Sequence, residues 1–298
     1  MEGSVSSALV TELRIESVRD FHAAQTFECG QCFRFTREEN GSYTGVVRGH
    51  FANIFYNNEE DRVTVFSDYL PGSEALREKF WRDFLDLDRD YAQIKRRLSA
   101  NDPVLETAIL SAGGIRILHQ EPWETLVSFV ISQNNHIPRI RGCIETLCRH
   151  FGERIGSFQG RDLYAFPTIR RLASLPVSEL NVCKLGYRAQ YIAELAHQVD
   201  VDGGAFLATG DTADPEKLEA YLRSLSGVGP KVAHCVMLFA MRRFESFPID
   251  VWMRRAMSEL YGFAEEDEEG MHTHARERFG DDAGLAQMYL FHYMRTKS

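Results

Sequence analysis

The sequence predicts an α+β protein in which a small antiparallel β domain precedes a larger all-helical body. Short aromatic and β-branched runs of strand length fill the first seventy residues, separated by turn-forming residues. From Ser73 onward the apolar residues recur at helical period instead. Strands and helices do not alternate as a parallel sheet would require.

Element by element, Gln31–Arg37, Tyr43–Val47, Phe51–Tyr56 and Arg62–Phe66 are predicted strands, with Asn40-Gly41 and Asn57-Asn58 as turns. Asp102-Pro103 couples an N-cap to a proline at the first helical position, and Glu121-Pro122 opens an apolar helix through Val130 in the same way. Further helices are expected near 137–150, 187–199, 215–225, 230–242, 251–261 and 282–296. The domain boundary is placed at 110, giving a β-rich domain with flanking helices over 1–110 and a helical body over 111–298. No internal repeat or low-complexity segment interrupts this layout.

Of 298 residues, 44% are hydrophobic and 26% charged, as in soluble globular proteins. The longest apolar run, Val236–Met241, is too short to span a bilayer, and the N-terminus has no basic segment followed by an apolar one. An intracellular protein without membrane contact, acting as a monomer, is expected. Six cysteines stand at 29, 32, 143, 148, 183 and 235. Cys29 and Cys32 have the spacing of half a zinc site or a redox pair. Nothing downstream completes a tetrahedral shell, so half-buried reduced thiols are the expectation. The formal net charge is −9, which speaks against non-specific nucleic-acid binding. Between Asn134 and Tyr191, however, nine Lys/Arg face four Asp/Glu, a local excess of +5. A phosphate backbone responds to that local field.

The most informative segment is Leu225–Ala233, LSGVGPKVA. Gly227, Val228 and Gly229 followed by a proline form a tight turn with exposed N–H groups at a helix start, which hold a phosphate oxygen without side-chain charge. A plain glycine-rich helix connection has the same pattern. Lys231 falls in the first turn of the next helix. The positive helix end and the apolar Val232–Met241 stretch both disfavour a charged side chain there, as a nucleophilic lysine requires. Asp250 precedes another helical pattern and by itself reads as an N-cap. The helix from Lys231 to Arg242 rises about 18 Å. The eight residues up to Asp250 reach up to roughly 26 Å, enough to return Asp250 beside Lys231.

LSGVGPKVAHCVMLFA followed by FPIDVWM resembles the helix-hairpin-helix glycosylases, whose Gly/Pro-rich loop ends in a catalytic aspartate. The chain is more closely similar to the eukaryotic-type 8-oxoguanine DNA glycosylases. CGQCFRF at 29–35, SQNNHIPRI at 132–140, LGYRAQYI at 185–192 and GLAQMYLF at 284–291 extend the resemblance over most of its length. It implies a helix-hairpin-helix at about 215–242 and a bifunctional glycosylase/AP lyase acting on 8-oxoguanine in double-stranded DNA, opposite cytosine. By that resemblance Lys231 attacks the deoxyribose C1′ and forms a Schiff base, and Asp250 stabilises the charge developing on the sugar. The Gly30 carbonyl accepts the N7 hydrogen that guanine lacks. Gln287 reads the pairing edge of the flipped base, held between Phe291 and Cys235. Asn134, Arg139 and Arg188 contact the orphaned cytosine, and Tyr187 wedges into the vacated helix.

No metal and no cofactor is implied, although a monovalent cation at the hairpin carbonyls is compatible with the motif. Two positions depart from the family pattern: Trp252 replaces a phosphate-contacting histidine, and His234 an acidic residue. Two other readings stay open here. One is a glycosylase for another damaged purine, and the other a non-catalytic DNA-binding scaffold. The iron–sulfur branch is excluded, because no cysteine follows Cys235.

Overall fold

The computed structural model describes residues 10–68, 70–100 and 102–297. The first nine residues, on which the absence of a leader was partly argued, lie outside them. The N-terminal domain is built on a five-stranded antiparallel sheet in the order β1-β5-β4-β3-β2. Its strands are β1 Thr11–Ile15, β2 Thr36–Arg37, β3 Tyr43–Val47, β4 His50–Asn57 and β5 Arg62–Ser67. Strands β2 to β5 form a meander, and β1 returns to pair with β5 from Thr11↔Ser67 to Ile15↔Val63. Helix α1 (Ala23–Phe27) and helix α2 (Glu74–Phe84) flank the sheet. Phe27, Phe35, Tyr43, Ile54, Val65 and Trp81 meet in one buried cluster.

The predicted strand Gln31–Arg37 survives only as β2. Gly30 adopts φ +91°, and the side chain of Gln31 is consumed by backbone partners off the sheet. Its Nε2 donates to the carbonyls of Thr26 and Arg116, both at 2.8 Å, and its Oε1 accepts from Leu118 N at 2.8 Å. The segment is thereby bent toward the helical body.

That body comprises α3 (Tyr91–Ser99), α4 (Pro103–Ala112), α5 (Pro122–Ser132), α6 (Ile137–Phe151), α7 (Ile169–Ala173), α8 (Arg188–Asp200), α9 (Pro215–Ser224), α10 (Pro230–Ala240), α11 (Val251–Tyr261), α12 (Glu268–Phe279) and α13 (Ala283–Lys297). Asp102 and Glu121 cap α4 and α5 with their carboxylates, each followed by proline in the first turn, as their sequences require. Helices α5, α10 and α13 are the apolar centre, contributing Val127, Phe129, Val236, Leu238, Ala286 and Leu290 to a single core. A hairpin of β6 (Arg154–Phe158) and β7 (Arg161–Tyr164), not anticipated from the sequence, projects from this body.

Candidate active site

The hairpin between α9 and α10 has one conformation open to it. Gly227 has φ +75°, and a Cβ there would lie 2.8 Å from the Tyr191 side chain, so only glycine fits. Val228 is buried and donates its N–H to the Leu225 carbonyl at 3.1 Å. Gly229 begins α10 without a side-chain cap, and Pro230 follows it. The first-turn N–H groups therefore remain available to an anion. Ser226 ties the hairpin to α8, its N–H donating to Gln198 Oε1 at 2.7 Å and its hydroxyl to Glu194 at 2.6 Å. The carbonyls of Leu225 and Gly227 already accept protein N–H groups, the latter from Gln133 Nε2 at 2.8 Å.

Lys231, one residue into α10, faces a cavity whose other walls come from four separate segments. Asp250, Gln287, Phe291, Cys235 and Gly30 all line it with Lys231. The loop after α10 thus returns Asp250 to the lysine, as its length allows. The Lys231 Nζ lies 3.3 Å from Ser132 Oγ and 4.9 Å from the centre of the Phe129 ring. Phe129 is itself clamped between Phe239, stacked at 5.5 Å, and the edge of Phe33 at 5.5 Å. Cys235 stands one turn beyond Lys231 and lines the same cavity. Burial pushes its thiol up to about 11, against the opposing pull of the Lys231 charge, so it is neutral near pH 7. Asp250 caps α11, its Oδ1 accepting from Met253 N at 2.9 Å.

The cavity wall away from Lys231 is polar at two points. Gln287 is 5% exposed, and its Oε1 has no hydrogen-bond partner. Opposite it, Gly30 presents backbone. Besides its four side-chain bonds, the fourth to Cys29 Sγ at 3.4 Å, Gln31 accepts from Gln120 Nε2 at 2.7 Å through its own carbonyl, which fixes the neighbouring Gly30. Cys29 also lines the cavity. Burial pushes its thiol up to about 11, and it is not paired with Cys32.

A second group gathers at the C-terminal end of α5. Asn134 is exposed in a left-handed turn at φ +46°. Arg188 holds that turn from α8, with Nε donating to the Gln133 carbonyl at 2.9 Å and Nη2 to the Asn134 carbonyl at 3.0 Å. Its Nη1 donates to the Leu185 carbonyl at 3.2 Å, and the residue is 4% exposed. In this conformation four of its five N–H donors are committed to backbone. Tyr187 is 53% exposed, carries the Arg188 guanidinium 4.5 Å over its ring and meets Tyr191 edge-on. Arg139 is exposed and reaches the Lys184 carbonyl at 3.5 Å.

The departures are accommodated locally. Trp252 packs in α11 with Arg255 5.6 Å over its ring. His234 stacks on His272 at 4.9 Å and lies 3.7 Å from Glu219. Sequence reasoning missed Ser132, Phe129 and Gln31; a glutamine inside the apolar run CGQCFRF was the one available signal. Among the described residues no group of three or more His, Cys, Asp or Glu is placed to hold a metal ion, and no helix is long and apolar enough to cross a membrane.

Residues 14–126 match the N-terminal domain of 8-oxoguanine DNA glycosylase, and residues 127–280 match the HhH-GPD superfamily of base excision DNA repair proteins. The probable N-glycosylase/DNA lyase of Methanothermobacter thermautotrophicus is 30% identical over 93% of this chain and 95% of its own. The N-glycosylase/DNA lyase OGG1 of Arabidopsis thaliana is 28% identical over 89% of this chain and 75% of its own. Among solved structures, MBOgg1 in complex with a low-affinity DNA ligand superposes with a TM-score of 0.89 at 39% identity, covering 100% of this chain and 99% of that one. The 8-oxoguanine glycosylase/lyase of Clostridium acetobutylicum, bound to duplex DNA with cytosine opposite 8-oxoguanine, gives 0.88 at 33% identity over 97% and 98%. With both halves of the fold and the hairpin, lysine and aspartate in place, the chain belongs to the HhH-GPD superfamily of base excision DNA repair proteins and carries the N-terminal domain of the 8-oxoguanine DNA glycosylases.

Proposed function

We propose that this protein excises 8-oxoguanine paired with cytosine from duplex DNA and then cleaves the strand as an AP lyase, inside the cell. One observation carries the reading: Lys231 and Asp250 meet in a single cavity whose far side offers Gly30 backbone and an unpartnered Gln287 oxygen. The Lys231 amine forms a bond to C1′ while the C1′–N9 bond breaks, its electron pair leaving with the base, which takes up a proton. The Asp250 carboxylate stabilises the positive charge on the sugar during that step. Opening of the ring at O4′ gives the iminium. Loss of a C2′ proton then expels the 3′ phosphate, and water releases the lysine. The hairpin N–H groups grip phosphate, while Tyr187, Asn134, Arg139 and Arg188 surround the widowed cytosine.

The test is covalent trapping with borohydride on an 8-oxoguanine·cytosine duplex. A protein–DNA adduct is expected from the wild type and none from Lys231→Gln. Base release without an adduct overturns the lysine mechanism. Release from a 3-methyladenine duplex alone reassigns the lesion, and binding without release leaves a scaffold.

A further inference from the structure

We propose that Ser132 is a positioning residue for the nucleophile: its hydroxyl oxygen takes one N–H of Lys231 and turns the amine's lone pair toward the bound nucleotide. The inference rests on the reading of Lys231 as the attacking group. Ser132 stands at the last turn of α5, 99 residues from Lys231 in sequence, with Oγ 3.3 Å from Nζ. Its own proton is already committed, since Oγ donates to the Phe129 carbonyl at 2.8 Å. Toward the lysine it therefore acts as an acceptor.

A neutral amine has two N–H bonds and one lone pair. The hydrogen bond to Ser132 engages one N–H. The lone pair and the second N–H are left for the directions that face the cavity. Ser132 is not part of the cavity wall, whereas Lys231 and Cys235 are. Ser132 thus holds the amine from behind, and the Phe129 ring closes a further side at 4.9 Å. Without the hydroxyl, Nζ is free to rotate its lone pair away from C1′. A flexible lysine stem offers no other restraint.

The position of Ser132 also places this restraint beside the opposite-base turn. The next residue, Gln133, is held by Arg188 through its carbonyl and holds the hairpin through its amide. The serine is therefore fixed in space by the same contacts that fix the turn and the start of α10.

The experiment compares wild type, Ser132→Ala and Ser132→Thr in single-turnover release of 8-oxoguanine, in borohydride trapping on a preformed abasic duplex, in duplex affinity and in melting temperature. Loss of one orienting hydrogen bond should slow both reactions of Ser132→Ala by about tenfold. Duplex affinity and melting should stay at wild-type values, and Ser132→Thr should restore most of the rate. The abasic substrate matters because attack there needs the amine and not the base pocket. Wild-type rates for Ser132→Ala overturn the proposal, and so does slowing confined to base release. A loss that tracks weakened DNA binding or a lowered melting temperature overturns it too. If the wild type forms no adduct on either substrate, the nucleophile reading fails and this inference fails with it. An adduct with the wild type and an equal one with Ser132→Ala sinks the inference alone.

Discussion

Replacing Gln287 by Met should make the free protein more stable and the enzyme worse. Gln287 is 5% exposed, and its Oε1 is buried without a partner. An unpaired buried acceptor costs about 1–3 kcal/mol. At the lower end of that range the gain from removing it is about 1 kcal/mol. Methionine matches the length and volume of glutamine and brings no unpaired acceptor. For a chain of this size that gain raises the melting temperature by about 2 °C. In the complex the sign reverses. The N–H donors on the pairing edge of a flipped 8-oxoguanine lose their acceptor, so Gln287→Met should slow single-turnover excision by about tenfold or more. Scanning fluorimetry and a quench-flow excision assay measure the two halves. A lowered melting temperature, or excision at the wild-type rate, refutes the assignment of that oxygen to the lesion.

Other perturbations separate chemistry from binding and stability. Lys231→Gln should bind an 8-oxoguanine·cytosine duplex about as tightly as wild type while releasing no base, because the proposed grip on phosphate uses backbone donors; a gel-shift titration beside an excision time course checks both. Asp250→Asn keeps an N-cap of nearly equal strength, so melting should change by less than about 1 kcal/mol while the excision rate falls by two or more orders of magnitude. Burial, then His272, push the His234 imidazole down to about 4 from 6.5. The unfolded chain therefore binds a proton that the folded one refuses, and stability falls as pH drops from about 6.5 toward 4, by at most about 1.4 kcal/mol per pH unit. His234→Leu should flatten that slope in denaturant titrations at several pH values. Wild type should bind 8-oxoguanine about ten- to a hundredfold more tightly than 7-deaza-8-oxoguanine, which lacks the N7 hydrogen that Gly30 is assigned to accept; equal affinities in competition binding remove Gly30 from the reader role.

Legibility followed chemistry more closely than shape. The helix starts at Asp102-Pro103 and Glu121-Pro122 were readable because cap and proline act locally, and Lys231 and Asp250 because motif and loop length constrain each other. Both hairpin turns that escaped reading share one cause. Arg48-Gly49 and Gln159-Gly160 both adopt positive φ at their two central residues, at +49° and +82° and at +47° and +76°. That is the geometry for which Asn-Gly and Asp-Gly are the recognisable signal. Helix α12 was hidden by its acidic start. Asp267 caps it, accepting from Gly270 N at 2.9 Å, and Glu268 and Glu269 occupy the first turn, where the helix end favours negative charge. Ser132 and Gln31 were illegible for another reason. Their partners lie 99 and 85 to 87 residues away, and no local pattern encodes such a pairing.

The size of the cavity decides which parts of the site can be rigid. At about 50 Å³ it is far below the roughly 150 Å³ that holds a benzene, so a purine enters only by displacing side chains. Gly30 is not free to move, because its neighbour Gln31 is pinned at five points. Asp250 is held by its helix, and Lys231 by Ser132 and the clamped Phe129 ring. Phe291 is different: it is half-buried on the last helix, with the exposed Arg295 5.4 Å over its ring. Phe291 is therefore the proposed point of displacement, rather than the groups assigned to read or attack. Every base that enters meets that same cost. On the proposed reading, a base that bonds to the Gly30 carbonyl and the Gln287 oxygen recovers it, which assigns discrimination to rigid polar groups behind a movable apolar wall.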